Sequence, residues 1–193
     1  MKSIDQYIVK LDNCLQKYCK PLYDEFLESL DDASIKSILD KWNMNDPLLF
    51  SIYRWKGGME YDGNGNADSL SFNLSGTIPS LKYAEQVLAE GQKLMGWRAT
   101  QFPLICSFSG DFVLYETDKN RSDYQCLYLV SPTMGYVDIQ PKYFDSVFSM
   151  IDTIVLNFET GVFRYEDMYL EVDYDLNEIN SADMNPESDY WKN

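Results

Sequence analysis

Histidine is absent from this chain, and bases are few: 16 Lys and Arg stand against 31 Asp and Glu. The missing imidazole excludes Ser-His and Cys-His nucleophile pairs and removes the commonest metal ligand. Carboxylate, lysine and tyrosine chemistry stay open. The shortage of bases leaves a formal net charge of −15. That sign opposes binding to nucleic-acid phosphates and docking on anionic membranes. It favours a basic protein partner, whose encounter an acidic surface steers, although charge of this kind also serves solubility alone.

Cysteine is sparse too. Cys14, Cys19, Cys106 and Cys126 form no CxxC pair, and in so long a chain they read as small buried thiols, not as a disulfide framework. No apolar run is long enough to span a bilayer, and Met1-Lys2-Ser3-Ile4-Asp5-Gln6 has no apolar signal core. A reducing cytoplasm is the expected compartment. No Gly-rich phosphate cradle is present, since Gly57-Gly58 lacks the spacing of a P-loop. Lys and Arg do not cluster with aromatics as a nucleic-acid platform would require.

What is present is core-forming material. Of 193 residues 45% are hydrophobic and 15% aromatic, enough to offset chain entropy and argue against disorder. The reading is a single domain over 1–193, with an N-terminal helical extension over about 1–45. Residues 3–30 predict helix, with Ile4, Ile8, Leu11, Leu15 and Tyr18 on one face and Pro21 starting a second segment. Asp31 or Asp32 caps a helix bearing Ile35, Ile38, Leu39 and Trp42. Pro47 opens an apolar helix that Gly57-Gly58 stops.

Residues 69–76 alternate as a strand through Leu70, Phe72 and Leu74. Residues 80–96 read as helix, its inner side carrying Leu81, Ala84, Leu88 and Met95. The period then changes. Strands are predicted at 104–108, 112–115 and 126–130, with a fourth at 136–139. Their short connections favour an antiparallel meander. Helix returns over 146–158 with Val147, Met150, Ile151, Ile154 and Phe158 inward. The tail beyond is acidic but aromatic, and reads as a packed extension. The fold class is therefore α+β: a mostly antiparallel sheet packed with N-terminal and C-terminal helices.

Three patterns invite a chemical reading. Asp62, Asn64, Asn66 and Asp68 alternate as in the first half of an EF-hand loop. Ala67 stands where that loop needs Gly, and Asn73 where it needs a bidentate Glu. A polar turn is the favoured reading, and no metal or cofactor is assigned. Asp173 and Asp175, or Glu171 and Asp173, could share a strand face as a carboxylate pair for hydrolysis; solvated acids are the plainer account. Trp55, Trp97, Tyr53 and Phe108 read as core and rim, with Trp97-Arg98 the more exposed pair.

The chain also resembles a known family. The helix ending Tyr53-Arg54-Trp55-Lys56-Gly57-Gly58 is followed by Phe102-Pro103-Leu104-Ile105-Cys106-Ser107-Phe108-Ser109-Gly110-Asp111-Phe112 and then by Phe158-Glu159-Thr160-Gly161-Val162-Phe163. In that order these motifs resemble the SUKH superfamily, which holds bacterial immunity proteins and relatives of the yeast cell-wall assembly regulator. Asp173-Tyr174-Asp175-Leu176 and Ser188-Asp189-Tyr190-Trp191 resemble SUKH-like tails. The likeness runs from about residue 46 to the end; residues 59–100 add a helix and a polar loop beyond a minimal member.

The resemblance implies helices around an antiparallel sheet and a non-enzymatic role: binding and occluding a cognate toxin, often a nuclease. The expected partner is a basic toxin protein, with no nucleic acid and no membrane, met by a monomer or weak dimer. A scaffold or regulatory domain of the same fold is the alternative; a carboxylate-dependent hydrolase comes third. The expected contact residues are Trp55, Trp97, Asp111, Glu116, Asp118, Glu171 and Asp173, acids and aromatics flanking predicted strand ends.

Overall fold

In the computed structural model, which describes residues 3–61, 70–166 and 169–192, helix α1 spans Ile4–Tyr18 and begins on a capping box. Ser3 accepts from the backbone of Gln6 while the Gln6 side chain returns to Ser3 N–H, satisfying two orphan donors. Ile8, Leu11 and Leu15 fall on its buried face at helical spacing. Pro21 lies in the first turn of α2, Lys20–Glu25. The expected helix to residue 30 stops there: residues 26–30 run extended against the chain after α4. Leu27 N–H donates to Gly58 O, and Gly57 N–H to Leu27 O, both at 2.9 Å.

Asp31 caps α3, Asp32–Lys41, and Asp46 caps α4, Pro47–Trp55. The glycine pair after α4 has a different use from the one expected. Lys56, not a glycine, leaves the helix, in an extended conformation. A Cβ on Gly57 would lie 2.4 Å from Glu28 O, and one on Gly58, whose φ is +81°, 2.0 Å from Pro79 O. The glycines let three backbone segments approach. Ser80 caps α5, Leu81–Leu94, whose Val87 and Gly91 join the buried side while Met95 lies beyond the helix and is only half-buried.

Strands β1 (Gln101–Cys106), β2 (Phe112–Glu116), β3 (Leu127–Val130) and β4 (Lys142–Phe144) form an antiparallel meander in the order β1-β2-β3-β4. β1, β2 and β3 are buried throughout, so both faces are covered and strict alternation is lost. Two expected strands are not strands. Among the described residues of 69–76, Asn73 and Gly76 bridge across a tight turn, and Asn73 Oδ1 accepts from Ser75 N–H at 2.7 Å. This side-chain mimic of a turn ends extension after Phe72. At 136–139, Ser131 and Tyr136 exchange two backbone bonds of 2.9 Å, closing a loop. The fourth strand forms later, where Tyr143 and Phe144 are buried; Ile139 stays 75% exposed.

Ser146 caps α6, Val147–Glu159, the most apolar partner of the sheet, which packs on α1. A two-stranded hairpin, β5 (Phe163–Glu166) with β6 (Tyr169–Val172), leads into α7, Tyr174–Met184. The tail is therefore structured, but only partly packed. Trp191 is buried and stacks on Tyr143 at 5.0 Å, whereas Tyr169, Tyr174, Leu176 and Ile179 are exposed. Asp173 and Asp175 share no strand face: Asp173 caps α7 and Asp175 sits in its first turn. Among the described residues, no helix is long and apolar enough to cross a membrane.

Candidate functional site

The sequence-predicted contact residues do not form one patch. Trp55 is half-buried, and its indole N–H donates to Asp12 Oδ1 at 2.6 Å. Trp97 is not the exposed residue expected. It is buried edge-on to Phe112 and lies over Gly91, where any Cβ would strike its ring. Glu116 is also buried. Its carboxylate accepts from Arg98 Nε at 3.0 Å and Asp118 N–H at 3.0 Å, with Arg121 Nε at 3.4 Å. Two guanidinium groups and a backbone donor compensate that charge internally, so it has nothing to offer a partner.

Asp118 closes the same turn by accepting from Asn120 N–H. Asp111 lies just before the opposite end of β2, five residues of chain from Glu116, or about 16 Å at strand rise. Glu171 is exposed opposite Arg164 on the hairpin, and Asp173 accepts from Leu176 N–H as a cap.

At the Asp111 end of the sheet, several turns converge on a groove of about 540 Å³. The Asn73–Gly76 turn presents Leu74. Gly76, at φ +112°, lets it approach β1 so closely that a Cβ would lie 1.9 Å from Cys106 O. The loop closed by Ser131 and Tyr136 presents Met134 and Tyr136. The C-terminal segment supplies Tyr190 and Trp191. Ser188 pins it: its hydroxyl donates to Lys142 O at 2.8 Å and accepts from the Tyr190 and Trp191 N–H groups. Trp191 Nε1 donates to Tyr143 O at 2.8 Å. The Tyr190 ring meets Tyr136 edge-on at 6.0 Å and Tyr143 at 4.9 Å.

The last wall is α7, which contributes Tyr174, Asn177 and Glu178. This helix is inside out. Its buried residues are Asn177 and Ser181, while Leu176 and Ile179 face solvent. Directional amide bonds seat it on α6: Asn157 Nδ2 donates to Asn177 Oδ1, and Asn180 Nδ2 to Asn157 Oδ1, both at 2.8 Å. Asn185, just past the helix, donates to Thr153 Oγ1 at 3.1 Å. Such a satisfied network specifies one rotation of the helix, and that rotation turns Tyr174 and Glu178 to the groove.

The groove is electronegative. Burial first, then the proximity of Tyr136, Glu178 and Asp111, pushes the Tyr190 phenol above its ordinary range. Tyrosine walls with acids at the edge suit a cationic or amphipathic group. Of the predicted residues, Asp111 stands nearby and Asp173 precedes a wall residue; the others lie elsewhere. Tyr136, Tyr174, Tyr190 and Leu74 were visible in the sequence only as strand or tail residues. The signal available was the Asp-Tyr-Asp-Leu and Ser-Asp-Tyr-Trp tail motifs.

The candidate cation loop from Asp62 to Asp68 lies outside the described residues. Among the described residues no group of three or more Cys, Asp and Glu is placed to hold a metal. No family model and no curated protein matches this chain, so the SUKH resemblance rests on the motifs quoted for it.

Proposed function

We propose that this chain is a non-enzymatic binding protein of the immunity type, acting in the cytoplasm, which captures a basic bacterial toxin and occludes its working surface. The observation that carries this reading is the groove: an exposed Tyr174 beside half-buried Tyr136 and Tyr190, with acids at the edge, on a chain whose net charge is −15. The overall field speeds encounter with a basic partner, and aromatic anchors in a pocket lengthen the complex's life. The acids that suggested hydrolysis form no shared strand face: Asp173 caps α7, Asp175 sits in its first turn, and Glu171 lies on the hairpin opposite Arg164. The groove is built from turn tips and a helix flank held by a buried sheet, the usual arrangement for recognition.

The test is co-expression with a tagged toxin domain encoded beside the gene. An equimolar complex without toxin activity supports the proposal. Separate elution with the toxin fully active contradicts it.

A further inference from the structure

Resting on that binding role, we infer that the tyrosine groove is an arginine-capture site: it takes the guanidinium group of one arginine on the basic partner. The walls argue for a planar cation. Tyr136 and Tyr190 stand edge to face at 6.0 Å and 73°, while Tyr174 is 68% exposed and presents an uncovered ring. Tyrosine faces are electron-rich and attract a cation within about 6 Å. Glu178 supplies the carboxylate. It is exposed at the groove and has no ion-pair partner among the described residues. Asp111 adds a second negative charge near Tyr190.

The chain already contains such an arrangement, filled from within. The Arg98 guanidinium lies 4.8 Å from the Tyr128 ring centroid, with Glu116 at 3.0 Å and Asp123 at 3.5 Å. The groove has the same parts, ring and acid, and its lining among the described residues includes no Lys or Arg. Arginine suits it better than lysine: its guanidinium is flat, stacks on rings and pairs with a carboxylate through two N–H groups. A second copy of this chain is a poor occupant, because both faces would bring the same acids together. The groove exceeds one side chain in volume, so the arginine arrives on an extended segment that also covers Leu74 and Met134.

The experiment uses the full chain and three capped tripeptides, acetyl-Gly-Xaa-Gly-amide with Xaa arginine, lysine or citrulline. Binding is followed by NMR of the tyrosine ring resonances. The arginine peptide is expected to shift the rings of Tyr136, Tyr174 and Tyr190 saturably. Lysine should bind about threefold or more weaker, and citrulline, its neutral isostere, should give no saturable shift. Tyr174→Ala and Glu178→Gln each should weaken the arginine peptide about fivefold, with unchanged thermal midpoints because both side chains are exposed. Glu90→Gln, an exposed acid on α5 outside the groove, should leave it unchanged.

Equal binding of arginine and citrulline, or an equal loss in Glu90→Gln, overturns the proposal, as does the absence of ring shifts. Toxin binding by the same variants separates the two claims. If the toxin binds both groove variants as tightly as the parent chain, the arginine site falls and the binding role stands. If the peptide binds the groove but no toxin does, the binding role falls and the site stands.

Discussion

Asn157 Nδ2 donates to Asn177 Oδ1 at 2.8 Å, and this buried amide contact joins α6 to α7 where most helix pairs use apolar side chains. Because it is directional, it fixes the rotation of α7 and so the placement of Tyr174 and Glu178. Asn157→Leu should destabilise the chain by about 1–3 kcal/mol, since it removes the partner of buried Asn177 and of half-buried Asn180. The double variant Asn157→Leu/Asn177→Leu should cost less than the sum of the singles, because both polar groups leave together. Urea denaturation of the three variants measures this; additive losses would show that the two amides act independently.

Asp46 binds three donors inside the protein: Leu48 N–H at 2.9 Å, the Tyr115 hydroxyl at 3.1 Å and the Tyr124 hydroxyl at 2.7 Å. It caps α4 and ties that helix to the sheet. Asp46→Ala should cost about 2–4 kcal/mol through the lost cap and two orphaned hydroxyls, while Tyr124→Phe should cost about 1 kcal/mol. Burial and then the Asp46 hydrogen bond push the Tyr124 phenol up to about 12. A raised folded value means that this stability is complete below the ordinary value of 10.0 and is lost as pH rises towards about 12. Tyr124→Phe should flatten that alkaline loss in thermal melts; an unchanged alkaline limb would contradict the assignment.

Asp123 behaves oppositely. Hydrogen bonding from Arg121 first, opposed by partial burial and aided by the Tyr128 hydroxyl, holds its carboxyl down at about 2. Its contribution is complete above the ordinary value of 3.8 and is lost as pH falls from there to about 2. Asp123→Asn should be less stable than the parent chain at pH 7, with the gap closing near pH 2. Guanidinium titrations at both pH values check this, and a constant gap would exclude the ionic explanation.

The four thiols should be silent in the folded chain. All are free and buried; burial chiefly pushes Cys14 up to about 12 and raises Cys19, Cys106 and Cys126. Thiol reagent at neutral pH should label none of them over minutes, then four after denaturation. Prompt labelling of one thiol in the native chain would show a site that opens locally.

Much of this fold was legible because its signals are local. Asp31, Pro47, Ser146 and the 3.6-residue repeats located helices, and the runs around Ile105, Val113 and Leu129 located the central strands. The strands expected at 69–76 and 136–139 failed because turn closure by Asn73 and by the Ser131–Tyr136 pair outcompeted alternation. The site was harder to see. Trp97 and Glu116 carry the composition of a surface patch, but Gly91 and Arg98 give them buried places, and those partners are set by tertiary packing. Tyr136, Tyr174 and Tyr190 converge from a loop, the first turn of α7 and the C-terminal segment, with no shared period. The inverted α7 also defeats pattern reading, which assigns its apolar residues inward.

The most direct measurement is calorimetric titration of the full chain with the toxin domain encoded beside its gene, paired with an assay of that toxin's activity. The account predicts one-to-one binding that abolishes activity and weakens in Tyr174→Ala. No heat and no inhibition would contradict it.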